Sequence, residues 1–418
     1  MTTFDIESIE AMAGSESKTL HVAMIGTRGV PAAYGGFETA VEEIGSRLAG
    51  RGHEVTVYCR STSDAALREY AGMHLVHLPA LKLKAAETLS HTALSVVHAI
   101  SRRPRPDAAF VFNAANSPFV PLLRLRGIPT AVHVDGLEWQ RDKWRGAGRA
   151  YYRWAERSAV RNADAIIADA PGIADYYASE FAAPTHLIAY GAPVQSNPAS
   201  DRLDELGLLW KGYHLVVARF EPENHVDVAV AGYVRSRARL PLVVVGSAPY
   251  AAEYTARVRS SAGDDPRVRL LGGIYDQDLL DQLYAGALGY VHGHSVGGTN
   301  PSLLRAMGAG TAVLAWDVAF NRDVAGVHGR YFTDERSLAT LIEATERAPG
   351  EAERTGAALR EIVRRKYRWD DVTVAYEGLA VGLAHGVSSR ARTRHRRSDP
   401  RLIAVPALSR FHIHGSPK

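Results

Sequence analysis

The sequence predicts an α/β protein built from two parallel-sheet domains that face a cleft. Short apolar runs of four or five residues recur along the chain. Each is followed by glycine, proline or a polar residue, and then by a helical pattern. That alternation occurs twice, on either side of the polar, proline-bearing run Gln195-Ser-Asn-Pro-Ala-Ser200. A length of 418 residues suits two or three domains, and 46% hydrophobic residues are enough for a large core.

The first domain is expected over residues 19–195, after a polar lead over 1–18 that reads as disordered. His21-Val-Ala-Met-Ile25 is a short strand. A glycine-rich loop over 26–39 then enters a helix with Val41, Ile44 and Leu48 on one face, and Glu54–Tyr58 is the next strand. This is a βαβ unit. Its loop lacks the Gly-x-Gly-x-x-Gly spacing, so nothing favours a nicotinamide cofactor. Further strands fall at Leu75–Leu78, Ala108–Phe112, Thr130–Val134 and Ala165–Ala168. Helices fall at 82–101, at Tyr151–Asn162 with Trp154 on the apolar side, and at Pro171–Phe181. The apolar positions of 82–101 suit either the sheet or a membrane surface.

The second domain is expected over 200–369, with strands Leu215–Ala218, Leu242–Val245, Val268–Leu271, Leu288–Val291 and Ala312–Ala315. Tyr367-Arg-Trp369 precedes a final helix rich in apolar positions, Val372–Leu383. A cleft between two such domains is a natural ligand site.

The net charge of +4 is unevenly placed. From Arg390 onward there are seven arginines, one lysine and one aspartate, so the rest of the chain is slightly acidic. The basic character belongs to a tail over 387–418, expected to be disordered. A nucleic-acid-binding body would carry its basic stripe on the folded domains, so the charge distribution argues against that class. The tail could bind anionic lipid or simply be solvated. The lone Cys59 excludes a disulfide framework and a cysteine zinc site. No apolar run approaches the ~20 residues that span a bilayer, and the start lacks the layout of a secretory signal. A cytoplasmic protein is expected, with peripheral contact at the inner face of the membrane as an option.

The strongest ligand signal is the stretch His294-Ser-Val-Gly-Gly-Thr-Asn-Pro-Ser-Leu-Leu-Arg-Ala-Met-Gly-Ala-Gly310. It follows an apolar strand. Gly297 and Gly298 permit a tight, open turn. Thr299 or Asn300 suits an N-cap and Pro301 the first helical turn. Strand, glycine loop and capped helix would aim backbone N–H groups and a positive dipole end at one spot. That spot suits an anionic or hydroxyl-rich ligand, although an ordinary tight strand-to-helix turn reads the same way.

Four segments, in order, resemble the GT-B glycosyltransferases of family 4, in their rhamnosyltransferase-like branch. They are Gly26-Thr-Arg-Gly-Val-Pro with Tyr-Gly-Gly-Phe-Glu-Thr39, Val134-Asp-Gly-Leu-Glu-Trp139 with Lys143-Trp144, Ala218-Arg-Phe-Glu-Pro-Glu-Asn224, and His294-Ser-Val-Gly-Gly-Thr-Asn-Pro301. The resemblance runs from about His21 to Leu383. It implies two Rossmann-like domains around a central cleft, with a helix over 370–385 crossing back to the first. It also implies a nucleotide-sugar donor held mainly by the second domain, an acceptor mainly on the first, retained anomeric configuration, and no metal or other cofactor. The implied activity is transfer of a hexose, in this branch a deoxyhexose such as rhamnose, to a saccharide or lipid-linked saccharide in cell-surface polysaccharide synthesis. Mannosyl, glucosyl or N-acetylhexosaminyl transfer, and an inactive sugar-nucleotide-binding protein, stay open.

The resemblance assigns roles residue by residue. Arg219 is the phosphate-binding arginine, with a fork suited to phosphate; a salt bridge to Glu221 or Glu223 is its plainer reading. Gly35, Gly36, Glu223, Asn224, Ile274, Tyr275, Gly297, Gly298, Thr299, Asn300 and Arg305 are expected on the donor side. Arg28, Glu38, Thr39, Glu138 and Trp139 are expected on the acceptor side. His133 or Asp135 could orient the acceptor hydroxyl or pass its proton, and His133 equally suits a core. The chain departs from the family at Asn224, where a lysine is usual, and at Gly297 and Arg305, where paired glutamates are usual. Asp276-Gln-Asp278 imitates a metal motif, but it opens a helix, where Asp caps well. His292 and His294 lack a third ligand nearby and read as loop histidines.

Overall fold

The computed structural model describes residues 19–32, 35–61, 67–81, 86–134, 136–141, 144, 146–248 and 251–389. The expectations for the 1–18 lead, for Asp135 and Lys143, and for the tail from Arg390 onward lie outside the described residues.

The first sheet contains β1 (His21–Ile25), β2 (Glu54–Arg60), β3 (Glu69–Tyr70), β4 (Met73–Leu78), β5 (Ala108–Phe112), β6 (Thr130–Val134), β7 (Ala165–Ala168) and β8 (His186–Leu187). Their spatial order is β3-β4-β2-β1-β5-β6-β7-β8, and only the β3–β4 pair is antiparallel. Helices α1 (Gly36–Gly50), α2 (Glu87–Ser101), α3 (Val120–Leu125), α4 (Ala147–Asn162) and α5 (Pro171–Phe181) connect them. The second sheet contains β9 (His214–Val217), β10 (Leu242–Val245), β11 (Val268–Gly272), β12 (Gly289–His292), β13 (Ala312–Trp316) and β14 (Arg330–Phe332). It is parallel, in the order β11-β10-β9-β12-β13-β14. Its helices are α6 (Val226–Arg235), α7 (Ala252–Ala262), α8 (Gln277–Gly286), α9 (Pro301–Gly308), α10 (Ala319–Ala325), α11 (Glu335–Arg347), α12 (Pro349–Lys366) and α13 (Trp369–Ala384).

The expected two-domain α/β architecture is what the chain forms, for a simple reason. Strands such as β1, β5 and β6 are buried along their whole length, so both faces of the sheet need helices, as parallel sheets do. Helix α1 supplies the predicted stripe, burying Val41, Ile44 and Leu48. Helix α13 returns to the first domain, where Glu377 meets Arg51 at 2.7 Å and His53 at 2.8 Å.

Strand order reverses at β1 between β2 and β5, and at β9 between β10 and β12. Ligand crevices open at the carboxyl ends of strands beside such reversals. The loops after β1, β9 and β12 carry the glycine loop, Arg219 and His294–Asn300, so topology alone brings the predicted segments to crevice positions.

The structure departs from expectation in particular places. Trp154 is not on the apolar side of its helix: α4 buries Tyr152, Ala155, Ala159 and Val160, and Trp154 falls off that stripe, 52% exposed. The described helix near 82–101 begins at Glu87 and buries a mixed face that includes His91, Thr92 and Ser95. The 3₁₀ turn Ala114–Phe119 and α3 were not anticipated.

Candidate functional site

The two domains meet through their crevice loops. Gly36, at the first turn of α1, abuts Pro301, at the first turn of α9: a Cβ on Gly36 would lie 3.2 Å from the proline Cγ. The first turns of two helices, one from each domain, therefore meet. Each is the positive end of a dipole with N–H groups that the helix itself leaves unpaired. Asn300 is the N-cap of α9, its side chain accepting from the Ser302 N–H at 2.9 Å. Either Thr299 or Asn300 fitted that position by sequence. The structure chooses Asn300 and gives Thr299 a different task, since its hydroxyl donates to the Asp169 carbonyl of the first domain at 2.6 Å.

The glycine loop lies directly against the first domain. A Cβ on Gly136, just past β6, would stand 2.7 Å from the Gly297 carbonyl carbon, and one on Gly298 would stand 2.6 Å from the Asp169 Cγ. Only glycine allows approach this close. Among the described residues, the N–H groups of Gly297, Gly298 and Thr299 donate to nothing. Gly298 and Thr299 are thus buried by the facing domain rather than by their own core.

Beside this junction an ionic chain crosses from one domain to the other. Arg219, just past β9, reaches Glu221 at 3.5 Å with its side chain about half exposed. Glu221 and Glu223 are buried, and both lie near Arg141 of the first domain, at 3.9 and 3.8 Å. Arg141 also pairs with Glu138 at 2.7 Å. The plainer reading of Arg219 is therefore present as an ion pair, and the guanidinium still lies at the junction. His294 registers this surrounding: burial holds its pKa well below the usual value, with smaller contributions from His292, Arg219, Arg141 and His225.

Other predicted residues have structural tasks. Asn224, expected on the donor side, donates to the Arg219 carbonyl at 2.8 Å and braces that turn. Glu38 accepts from the Arg28 N–H at 3.0 Å, and the Thr39 hydroxyl donates to the Gly35 carbonyl at 3.0 Å, so both brace the first glycine loop. Ile274 is half-buried and Tyr275 exposed. Asp276 caps α8 as expected, accepting from the N–H groups of Asp278 and Leu279.

At four residues the structure adds contacts that the sequence did not show. Arg305 is tied to α8, with Nε on Asp281 at 2.7 Å and Nη1 on Gln277 at 2.7 Å, rather than being presented to a ligand. His133 is 1% exposed and packed among Phe37, Phe112, Tyr190 and Tyr376, whose hydroxyl bonds its Nδ1 at 2.6 Å. Burial pushes its pKa down to about 3, which favours the neutral ring and the core reading of this residue. The Trp139 ring is met by the guanidinium groups of Arg149 and Arg153, 5.0 and 5.1 Å from its centroid, which compete with any sugar for its face. His292 is likewise a buried strand residue, stacked on His294 with ring centroids 4.4 Å apart. Sequence reasoning missed Arg141 and Asp169. Asp169 had a signal, a polar residue directly after a strand; Arg141 had none.

Two family models match the sequence. Residues 19–193 match a domain of unknown function (DUF1972), and residues 212–348 match the glycosyl transferases group 1. No curated protein matches the chain. Among solved structures, sucrose-phosphate synthase from Thermosynechococcus elongatus superposes with a TM-score of 0.75 at 21% identity, covering 88% of this chain and all of that one. HepE from Anabaena, in complex with UDP-glucose, superposes with a TM-score of 0.69 at 16% identity, covering 88% of this chain and 99% of that one. A glycosyltransferase from Rickettsia africae gives a TM-score of 0.59 at 10% identity over 89% of this chain and 99% of its own. The fold is GT-B, and its second domain is of the glycosyl transferases group 1 type.

Proposed function

We propose that the protein is a glycosyltransferase whose nucleotide-sugar donor places its diphosphate where the first turns of α1 and α9 meet. The observation that carries this is the abutment of Gly36 and Pro301 beside unpaired loop N–H groups. Each helix end favours an anion on its own, and a diphosphate at their junction would be held by both domains at once. Arg219 lies alongside, with a half-exposed side chain free to turn from Glu221 toward the phosphates.

The reaction follows from that placement. The bond from the anomeric carbon to the phosphate oxygen breaks, and negative charge grows on the leaving diphosphate. The loop N–H groups, the helix ends and Arg219 stabilise that charge. The acceptor oxygen bonds the anomeric carbon on the face the phosphate leaves, which retains configuration, and its proton passes to a phosphate oxygen. His133 is caged in the core, so this route asks nothing of it. No metal is required where arginine and amide dipoles already carry the charge. The donor is a nucleoside diphosphate deoxyhexose such as rhamnose, and the acceptor a saccharide or lipid-linked saccharide of the cell surface. A UDP-hexose donor is the second reading, favoured by the structural likeness to HepE, which was solved with UDP-glucose.

A thermal-shift panel of UDP, GDP and dTDP tests the reading. A nucleotide at 100 times its Kd adds ≈ 2.7 kcal/mol of stability, and Arg219→Ala should abolish most of that gain. Product mass spectrometry with membrane-extracted acceptors then identifies the sugar. Failure of every nucleoside diphosphate to stabilise the wild type would refute the assignment.

A further inference from the structure

Three segments leave the carboxyl ends of the strands where the first sheet reverses its order, at β1 between β2 and β5. Residues 26–30 follow β1, Cys59 and Arg60 end β2, and the 3₁₀ turn Ala114–Phe119 follows β5. Hydrogen bonds tie the three together. The Arg60 N–H donates to the Arg28 carbonyl at 2.8 Å, and the Asn116 amide donates to the Gly26 carbonyl at 3.2 Å. The first turns of α2 close the group. The Thr92 hydroxyl donates to Asn116 at 2.9 Å, while Arg60 donates to the Thr88 hydroxyl at 2.8 Å and pairs with Glu87 at 3.0 Å. Thr27 lies between the two tethered carbonyls, and His91 between Thr88 and Thr92.

Polar atoms inside this ring of contacts lack partners. Thr27 is 3% exposed and His91 fully buried. Yet among the described residues the Thr27 hydroxyl, both ring nitrogens of His91 and the Arg60 Nε make no well-formed hydrogen bond. The His91 ring lies against the Cys59 backbone, Arg60 and Glu87, and burial holds its pKa down at about 4. A neutral imidazole offers one donor and one acceptor, and a threonine hydroxyl offers both. Leaving such groups buried and unpaired is destabilising. Several of them in one crevice are a cost to folding that a hydrogen-bonding ligand would recover.

Charge indicates which ligand fits. The Arg60 side chain is 9% exposed, and its charge is offset by Glu87, whose side chain is 43% exposed. A phosphate entering past Glu87 would meet like charge, whereas hydroxyl groups would find both donors and acceptors. Arg28, next to Thr27, is exposed, and its N–H donates to Glu38 in the first turn of α1 at 3.0 Å. The crevice therefore adjoins the place where α1 meets α9, and a sugar held in it would lie beside the leaving diphosphate. We propose that this crevice binds the terminal sugar of the acceptor, with Thr27, Arg60 and His91 bonding its ring hydroxyls and setting which sugar is accepted. The proposal rests on the transferase reading and names acceptor contacts for it.

The test titrates the full-length protein with the methyl glycosides of glucose, rhamnose and N-acetylglucosamine, followed by saturation-transfer NMR. The wild type should bind at least one of them. Thr27→Val keeps the shape and removes the unpaired hydroxyl, so it should weaken that glycoside about tenfold, as loss of one hydrogen bond does. His91→Phe should do the same. Both variants should keep or raise the Tm, because each removes a buried group that has no partner, and both should keep the wild-type affinity for nucleotide. If His91→Phe does not fold, Thr27→Val carries the test alone. In transfer assays with membrane-extracted acceptor, Thr27→Val should raise the acceptor KM about tenfold and leave the donor KM unchanged. A purely structural role, or a crevice that holds only ordered water, would leave that split unmoved and overturn the proposal. It is also overturned if the wild type binds none of the three glycosides, or if Thr27→Val weakens nucleotide and glycoside alike. Glycoside binding that depends on Thr27 while no nucleoside diphosphate stabilises the protein would support the sugar site and refute the transferase reading, so the two failures are distinct.

Discussion

Substituting Gly136 with alanine tests the closed junction directly. The added Cβ would lie 2.7 Å from the Gly297 carbonyl carbon and 3.1 Å from the Gly298 nitrogen, both backbone atoms of the other domain. Carbon atoms rest at about 3.5–4.0 Å, so the glycine loop must retreat by roughly 1 Å. The Gly136 φ is not in the left-handed region, so alanine is not strained by its own backbone. The cheapest relief is therefore a small opening of the domains, with the core of each intact. A displacement of about 1 Å at a reacting centre can cost about 10²-fold in rate, equivalent to about 2.7 kcal/mol of transition-state stabilisation. The assay is nucleotide release from the donor in the presence of acceptor, paired with thermal unfolding. The expected result is a rate down about a hundredfold with Tm changed little. A wild-type rate would mean the loops are not this close during turnover. A collapse of Tm would mean the contact supports the fold rather than the site. Either outcome would refute the reasoning.

Four further outcomes are expected. Arg219→Ala should lower the rate by about 10²–10³-fold, as loss of one preorganised donor does. It should change stability by less than about 1 kcal/mol, because its ion pair to Glu221 is long and half exposed. Arg141→Met should destabilise by about 3 kcal/mol in urea unfolding, since it removes the guanidinium that Glu138, Glu221 and Glu223 share. Asn300→Ala should cost about 1 kcal/mol through loss of the α9 cap. Glu156→Gln should become more stable relative to wild type as pH rises. Burial raises the Glu156 pKa to about 7, so wild-type stability from this group is full below the unfolded value and is lost as pH climbs through about 7. The gap at pH 8 over that at pH 4 should approach about 3 kcal/mol, read from paired thermal melts; a gap independent of pH would show that the glutamate titrates as if in water.

What was legible in the sequence was what local chemistry decides. Short apolar runs such as His21–Ile25 and Ala108–Phe112 form strands buried along their length, and their repetition marked out the two sheets. Caps were legible for the same reason: Asn300 and Asp276 bond N–H groups within three residues of themselves. Residues whose role depends on a distant partner were not. Arg305 reads as an open cation until α8 brings Asp281 to its Nε. His133 sits at the end of a strand, where ligands are often held, but Tyr376 of the returning helix and Phe37 in the first turn of α1 close over it. Trp154 is apolar in every scale, yet a shift of one position on a helical wheel decides its exposure. Arg141 is the extreme case, because its partners Glu221 and Glu223 belong to the other domain and no spacing near it reveals them.

The same ionic chain constrains where a donor can lie. Arg141 faces Glu138, Glu221 and Glu223, and Arg219 leans on Glu221, so in this chain of ion pairs among the described residues carboxylates outnumber guanidinium groups. A diphosphate placed among them would meet like charge in a buried setting, where such repulsion is poorly screened. On the opposite flank the loop N–H groups of Gly297, Gly298 and Thr299 and the ends of α1 and α9 offer positive potential, with Asp169 beside Gly298 and Glu38 in the first turn of α1 as the acids nearby. Carboxylates are good acceptors for hydroxyl donors, so the acid flank suits the sugar and the amide flank the phosphates. Arg219 stands between them, able to exchange Glu221 for a phosphate oxygen as the donor enters. On this arrangement Glu223→Gln should weaken sugar discrimination while leaving affinity for the bare nucleoside diphosphate unchanged or improved. Titration with nucleotide and nucleotide sugar separates the two, and an equal loss for both ligands would place the phosphates on the acid side and overturn the arrangement.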